Sequence, residues 1–199
     1  MARPRKVSDD ELMRATGRAI GRYGPAFTLA QVAAEAGVAT ATAAARVGSK
    51  RGLLRWLAAS ATAGLRAEVA AAAGAAADPA DAVRAAALCG IEGIDDPATA
   101  MNHLAQLGSE LADPELRGEI AAMWTAYRDA LEDLLGAAGL PAAPPPPEAA
   151  RLLAALVHGT QVLWAVEPHG GLRDELARHV DTVLDAWRGP AGSIPLSLR

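Results

Sequence analysis

Apolar residues recur along this chain at intervals of three or four positions, which is the period of one helix face. The clearest run lies just past the middle of the chain. Its apolar positions are Leu116, Ile120, Trp124, Tyr127, Leu131 and Leu135. No run of β-branched residues alternates with polar ones between turn signals, which is the pattern typical of a strand. The pattern therefore predicts an all-α fold of about nine helices.

Capping residues predict where these helices begin. Ser8 and Thr28 are each followed three residues later by Glu or Gln, the capping-box pattern that opens a helix. Three Asp-Pro pairs predict further starts, because aspartate caps a helix and proline suits its first position. The pairs are Asp78-Pro79, Asp96-Pro97 and Asp113-Pro114. The other helices are predicted over residues 8–23, 28–36 and 39–46, after Ser49, and over residues 148–166 and 171–187.

Charge is divided unevenly along the chain. The whole sequence has a formal charge of -4, but residues 1–60 contain ten basic and four acidic side chains, a net charge of +6. The remaining residues therefore carry -10. We call residues 1–60 the head and residues 61–199 the body. A basic head on an acidic body lets a polyanion approach one end of the molecule only. This distribution favours a nucleic acid as partner.

Other function classes are disfavoured by what the sequence lacks. It has one cysteine, Cys89, and no N-terminal export signal, which predicts a cytoplasmic protein. We see no apolar stretch of the about 20 residues that cross a bilayer, no metal-ligand spacing among the histidines and no HExxH or phosphate-binding motif. We therefore expect no membrane partner, no metal, no cofactor and no enzymatic activity. Cys89 itself is either inert or a redox-sensitive thiol.

Residues 28–47 have the pattern of a helix-turn-helix. Two short predicted helices flank Gly37, which can take the left-handed conformation of a tight turn, and the small Ala33 lets the helices cross closely. The start of the second helix of such a motif enters the major groove. The residues expected at the bases are Ala39, Thr40, Ala41, Thr42, Ala43 and Arg46. The Thr28 hydroxyl is expected near a phosphate.

Residues 36–54, AGVATATAAARVGSKRGLL, resemble the DNA-binding motif of the TetR family of bacterial transcriptional regulators. The matching residues are Gly37, Val38 and Thr42 at the start and Gly48, Ser49, Lys50 and Leu53 at the end. The resemblance implies that Lys50 contacts a phosphate and that Thr42 points into the groove. The basic arm Arg3, Arg5 and Lys6 either follows the DNA or is a disordered terminus.

The same resemblance implies a homodimer held by a bundle of the last two helices, with a small-molecule pocket in the body. The interface residues are expected to be Leu152, Leu156, Leu163, Leu172, Leu176, Val180, Val183 and Trp187. A symmetric dimer binds a near-palindromic operator of double-stranded DNA. We therefore expect a DNA-binding domain over residues 1–56, a ligand-binding and dimerisation domain over 57–188, and a disordered tail over 189–199.

The pocket residues are expected among the large or polar exceptions in an alanine-rich interior. These are Met101, His103, Gln106, Met123, Trp124, Tyr127 and Trp164. The alternative is that Met123 and the aromatic residues simply fill the core and the interface, because aromatic stripes at helical spacing usually pack.

The sequence thus favours a repressor that binds its operator as a homodimer and is released by an unidentified small molecule. A second hypothesis is a helical protein-interaction adaptor that has lost DNA binding. It is motivated by Ala44, where the TetR family usually has an aromatic residue, often tyrosine, and by the thin polar face of the second helix. A third hypothesis, a ligand-storing or catalytic bundle, would need reactive groups that the sequence does not show.

Overall fold

The structure is a computed structural model that describes residues 7–91 and 93–189. Over these ranges it contains nine α-helices and no strand, which confirms the predicted fold class. The helices are α1 Asp9–Tyr23, α2 Leu29–Glu35, α3 Thr40–Val47, α4 Lys50–Gly74, α5 Pro79–Ala87, α6 Pro97–Ala112, α7 Pro114–Ala138, α8 Pro146–Val166 and α9 Leu172–Arg188. A single 3-10 turn, Gly24–Ala26, follows α1 and was not predicted.

The predicted capping residues begin the helices as expected. At α1 the Ser8 hydroxyl accepts a hydrogen bond from the Glu11 N–H, and the Glu11 carboxylate accepts one from the Ser8 N–H. Thr28 and Gln31 form the same capping box at α2. The three Asp-Pro aspartates cap α5, α6 and α7. These bonds satisfy backbone N–H groups that the first turn leaves without partners.

Buried apolar side chains form two clusters. One gathers α1 to α4 and includes Leu12, Phe27 and Leu53, each almost fully buried. The other gathers the body helices around residues such as Leu131 and Leu153. Helix α4 contributes to both clusters and runs without a break through the predicted boundary after residue 56. A continuous helix therefore connects the head to the body.

Helix α9 packs inward, which contradicts part of the predicted dimer interface. Leu172, Leu176 and Val180 are 3%, 0% and 0% exposed and lie in the core of their own chain. The apolar period correctly indicated a buried face, but a repeating pattern does not say whether the partner is the same chain or a second copy. Val183 and Trp187 are half-buried and pack against the same core.

Helix α8 has two apolar faces. Leu153 and Val157 are buried, while Leu152 and Leu163 on the other face are 49% and 68% exposed. Leu156 is half-buried between them.

Among the described helices, α8 is the one that is long and apolar enough to cross a membrane. This statement rests on length and composition only, and core helices of water-soluble proteins pass the same test.

Candidate nucleic-acid interface

A tight turn presents α3 at the surface of the head. Helix α2 ends at Glu35, and Gly37 then adopts a φ of 67°, in the left-handed region that favours glycine. The Gly37 N–H donates to the Ala34 carbonyl at 3.1 Å, and the Val38 N–H donates to the Ala33 carbonyl at 2.9 Å. Ala33 is fully buried, so α2 packs closely against its neighbours. This is the geometry that the helix-turn-helix pattern predicted.

The start of α3 is open to a partner. Ala39, Thr40 and Ala41 are exposed, and Thr42 is half-buried. Ala43, however, is 0% exposed and lies inside the head, so the expected contact of Ala43 with a base is wrong. The reason is geometrical, because successive residues of a helix are about 100° apart and only some of them share the outer face.

Two other expected DNA contacts are engaged within the chain. The Arg46 guanidinium donates to the Val7 carbonyl at 2.7 Å and forms an ion pair with Asp9, which joins the end of α3 to the start of α1. The Thr28 hydroxyl accepts a hydrogen bond from the Gln31 N–H in the α2 capping box. Both side chains therefore help to hold the motif together.

The Lys50 side chain points towards the 3-10 turn Gly24–Ala26, which follows α1. Its ammonium donates to the Pro25 carbonyl at 2.6 Å and lies 4.1 Å from the centre of the Phe27 ring. Partial burial lowers the pKa of Lys50. The basic arm Arg3, Arg5 and Lys6, and the predicted tail beyond Gly189, lie outside the described residues.

Part of the positive charge of the head is paired with the body, which the sequence did not reveal. Arg51 of α4 lies 2.8 Å from an Asp113 carboxylate oxygen and 3.3 Å from one of Glu115, at the start of α7. Arg55 lies 3.9 Å from a Glu119 carboxylate oxygen. Each exposed pair adds little stability, but together they fix α4 against α7. The sequence did not reveal these ion pairs, because their partners are more than 60 residues apart and meet only when α4 packs against α7.

The body contains a cleft of about 360 Å³ between α7 and α8. It is lined by Trp124, Tyr127 and Arg128 of α7 and by Arg151, Ala154, Ala155 and His158 of α8. Trp124 and Tyr127 belong to the predicted pocket set. The Arg128, Arg151 and His158 side chains were missed, because their positions on the helices carry no apolar periodicity.

The other predicted pocket residues do not line this cleft. The hypothesis that all seven residues form one pocket is therefore wrong. Met101 is 48% exposed, and Met123 is half-buried and lines neither of the two body cavities described here. His103 lines a separate cavity of about 80 Å³, and its burial lowers its pKa. Gln106 and Trp164 are buried packing residues.

Both of these packing residues have hydrogen-bond partners within the body. The Gln106 amide donates to the Glu110 carboxylate at 2.6 Å, and burial raises the pKa of that carboxyl group. The Trp164 indole N–H donates to the Gly170 carbonyl at 2.9 Å. The alternative interpretation, that large side chains simply fill the core, therefore applies to Trp164.

The tight turn, the exposed start of α3 and the long α4 together define a helix-turn-helix head on an all-helical body. A TetR transcriptional regulator from Streptomyces coelicolor is 23% identical with a TM-score of 0.65, over 92% of this chain and 100% of that chain. A transcriptional regulator from Rhodococcus sp. Rha1 is 20% identical with a TM-score of 0.66, over 92% and 100%.

SmeT, the repressor of the Stenotrophomonas maltophilia multidrug efflux pump SmeDEF, is 21% identical with a TM-score of 0.61, over 90% of this chain and 89% of SmeT. The sequence itself matches no family model and no curated protein. The chain therefore has the fold of the TetR-family transcriptional regulators.

Proposed function

We propose that this chain is a cytoplasmic DNA-binding transcriptional regulator, a repressor that binds a near-palindromic operator as a homodimer and is released by a small molecule. Residues 1–56 form its DNA-binding domain and residues 57–188 its ligand-binding and dimerisation domain. The observation that carries this proposal is the exposed start of α3, which a tight glycine turn presents at the basic end of the molecule.

The chemistry of α3 suits base edges in the major groove. A threonine hydroxyl both donates and accepts hydrogen bonds, and the methyl groups of threonine and alanine fit beside the thymine methyl. Thr40 and Thr42 supply the hydroxyls, while Ala39 and Ala41 supply methyl groups on the exposed side. Lys50 reaches a phosphate when its ammonium leaves the Pro25 carbonyl, an exchange that replaces a neutral acceptor with an anionic one.

The exposed face of α8 supports dimerisation. The exposed fractions of Leu152, Val162, Leu163 and Val166 are 49%, 45%, 68% and 74%. At about 100° per residue, the four side chains lie within about 100° of one another around α8. Large apolar side chains exposed on one side of a helix are typical of an interaction site. A second copy that packs the same stripe against this one gives a two-fold interface, as a near-palindromic operator requires.

A gel-shift titration on the DNA upstream of the gene for this protein tests the proposal. We expect a shift that weakens steeply between about 50 and about 200 mM salt, because phosphate contacts release counterions. Lys50→Ala is expected to weaken binding and to reduce the slope of log K against log salt by about 1. Arg66→Ala, on an exposed part of α4, removes a charge outside the head and serves as the control. A salt-insensitive shift, or none, would favour the adaptor hypothesis instead.

Leu163→Asp is expected to dissociate the dimer while leaving the fold intact. Leu163 is 68% exposed in the single chain, so the substitution costs little there. In a two-fold interface it buries two unpaired carboxylates, which should raise the dimer dissociation constant by at least about 100-fold. Sedimentation equilibrium measures this constant. Ala67→Asp, on the exposed side of α4, is the matched control, and equal behaviour of the two variants would place the interface elsewhere.

A further inference from the structure

The cleft between α7 and α8 has an apolar wall and base. The Trp124 and His158 rings meet edge to face with their centroids 5.2 Å apart, and Ala154 adds a small apolar side chain. Tyr127 is 8% exposed. A volume of about 360 Å³ lies within the range of sites for small organic molecules. The size and the lining therefore suit one aromatic or short acyl group.

Two polar side chains of the cleft, Tyr127 and His158, have hydrogen bonds within the chain. The Tyr127 hydroxyl donates to the Ala87 carbonyl at 3.2 Å, and burial raises its pKa, so it stays a neutral phenol engaged with its own chain. Nδ1 of His158 lies 2.8 Å from the Ala154 carbonyl oxygen, which can only accept, so the Nδ1–H group donates to its own helix. The phenol O–H and the Nδ1–H group of His158 are therefore both occupied within the chain.

Two arginines from different helices border the cleft. Arg128 of α7 donates to the Thr125 hydroxyl at 3.1 Å, and Arg151 of α8 is exposed. Within residues 7–91 and 93–189 neither guanidinium forms an ion pair, and the cleft lining includes no carboxylate. Other arginines of the body do pair with acids, as Arg84 does with Asp181 at 2.6 Å. Two unpaired guanidiniums beside an apolar cleft leave a place for an anionic group.

We propose that this cleft binds an apolar molecule with one carboxylate or similar anionic group, whose apolar part lies against Trp124 and whose anion accepts hydrogen bonds from Arg128 and Arg151. Guanidinium and carboxylate have matching planar geometry, and charge-assisted pairs of this kind are among the stronger hydrogen bonds. The inference deepens the proposed function by naming the chemical class of the effector, and it rests on that function only for the link between ligand binding and DNA release.

Calorimetric titration of the full chain with three naphthalene probes of equal ring size tests the charge preference. The probes are 2-naphthoate, 2-naphthalenemethanol and 2-naphthylmethylammonium. We expect 2-naphthoate to bind at least about tenfold more tightly than the alcohol, since only the carboxylate accepts charge-assisted hydrogen bonds, and the ammonium to bind more weakly than both. Equal affinities for the three probes, or no binding of 2-naphthoate, would overturn the proposal.

Arginine variants locate the binding. In Arg128→Gln/Arg151→Gln the affinity for 2-naphthoate should fall to within about threefold of that for the alcohol. Arg128→Lys/Arg151→Lys should give an intermediate preference, because the charge remains but the planar guanidinium is lost. Arg66→Gln/Arg117→Gln removes two exposed arginines outside the cleft and should change neither affinity. Thermal melting of each variant verifies the fold. Unchanged naphthoate binding in the glutamine variant, with or without loss of the dimer, would overturn the proposal and assign the arginines another role.

Failure of this inference is distinguishable from failure of the proposed function. Probe binding is measured without DNA, and operator binding is measured without probe. If 2-naphthoate binds as expected but the chain binds no DNA, the cleft is supported and the regulator proposal is wrong. If the chain binds its operator but the probes show no charge preference, the regulator proposal stands and the anionic effector is wrong.

Discussion

Gly52→Ala is expected to destabilise the head by about 3 kcal/mol, the upper end of the usual cost of overpacking. A Cβ atom built on Gly52 would lie 2.0 Å from the Val47 carbonyl oxygen, which is backbone at the end of α3. A flexible side chain could rotate away from such a contact, but this oxygen moves only if α3 and α4 separate. Chemical denaturation of the full chain measures the loss as a lower free energy of unfolding.

Gly64→Ala provides a control in the same helix. The nearest neighbour of a Cβ atom on Gly64 is a Glu68 carboxylate oxygen at 3.9 Å, which is ordinary contact. Alanine there should stabilise the helix by about 0.5–1 kcal/mol, because glycine loses more backbone freedom on folding. If Gly52→Ala stabilised the protein as Gly64→Ala does, α3 and α4 would not approach each other as closely as the structure shows.

The helix starts were predictable from the sequence because capping is local. Ser8, Thr28 and Asp96 each bond to backbone or side chain within three residues, so the sequence contains both partners of every contact. The start of α8 was the exception. It begins at Pro146, two residues earlier than predicted, since proline has a fixed φ close to helical and no N–H group to leave unbonded.

Which helix covers each apolar face, and whether it belongs to the same chain, was less predictable. Leu176 and Leu163 were both predicted from the same kind of apolar period to lie in the dimer interface, yet Leu176 is 0% exposed and Leu163 is 68% exposed. A periodic pattern identifies a face but carries no information about which helix covers it, because that depends on how distant segments pack. The ion pairs of Arg51 with Asp113 and Glu115 depend on packing in the same way.

The cleft was predictable only in part for a related reason. Trp124 and Trp164 were equal candidates in sequence, but Trp164 is 2% exposed and packs in the core, while Trp124 lines the cleft. A cavity is space that side chains fail to fill, and that space is set by the volumes of all neighbours together. Arg151 was missed because an exposed arginine on a helix usually has no role beyond solvation.

Thr40→Asp is expected to weaken operator binding by at least about 100-fold, because it places a carboxylate inside the groove of a polyanion in the proposed complex, and the juxtaposition of like charges costs several kcal/mol. Thr40 is the first residue of α3 and is exposed. An acidic residue in the first turn interacts favourably with the helix dipole by about 0.3–1 kcal/mol. The substitution should therefore leave the fold unchanged or slightly more stable while it weakens operator binding.

Opposite effects on stability and affinity separate this result from simple unfolding. Fluorescence anisotropy with labelled operator DNA gives the affinity, and a thermal melt of the same sample gives the stability. Ala98→Asp places the same charge at an exposed position in the first turn of α6, away from α3, and should bind DNA within about threefold of the unmodified chain, since screening limits the reach of an exposed charge. If both variants lost affinity equally, the loss would follow net charge and not the surface of α3, and α3 would not be the helix that enters the groove.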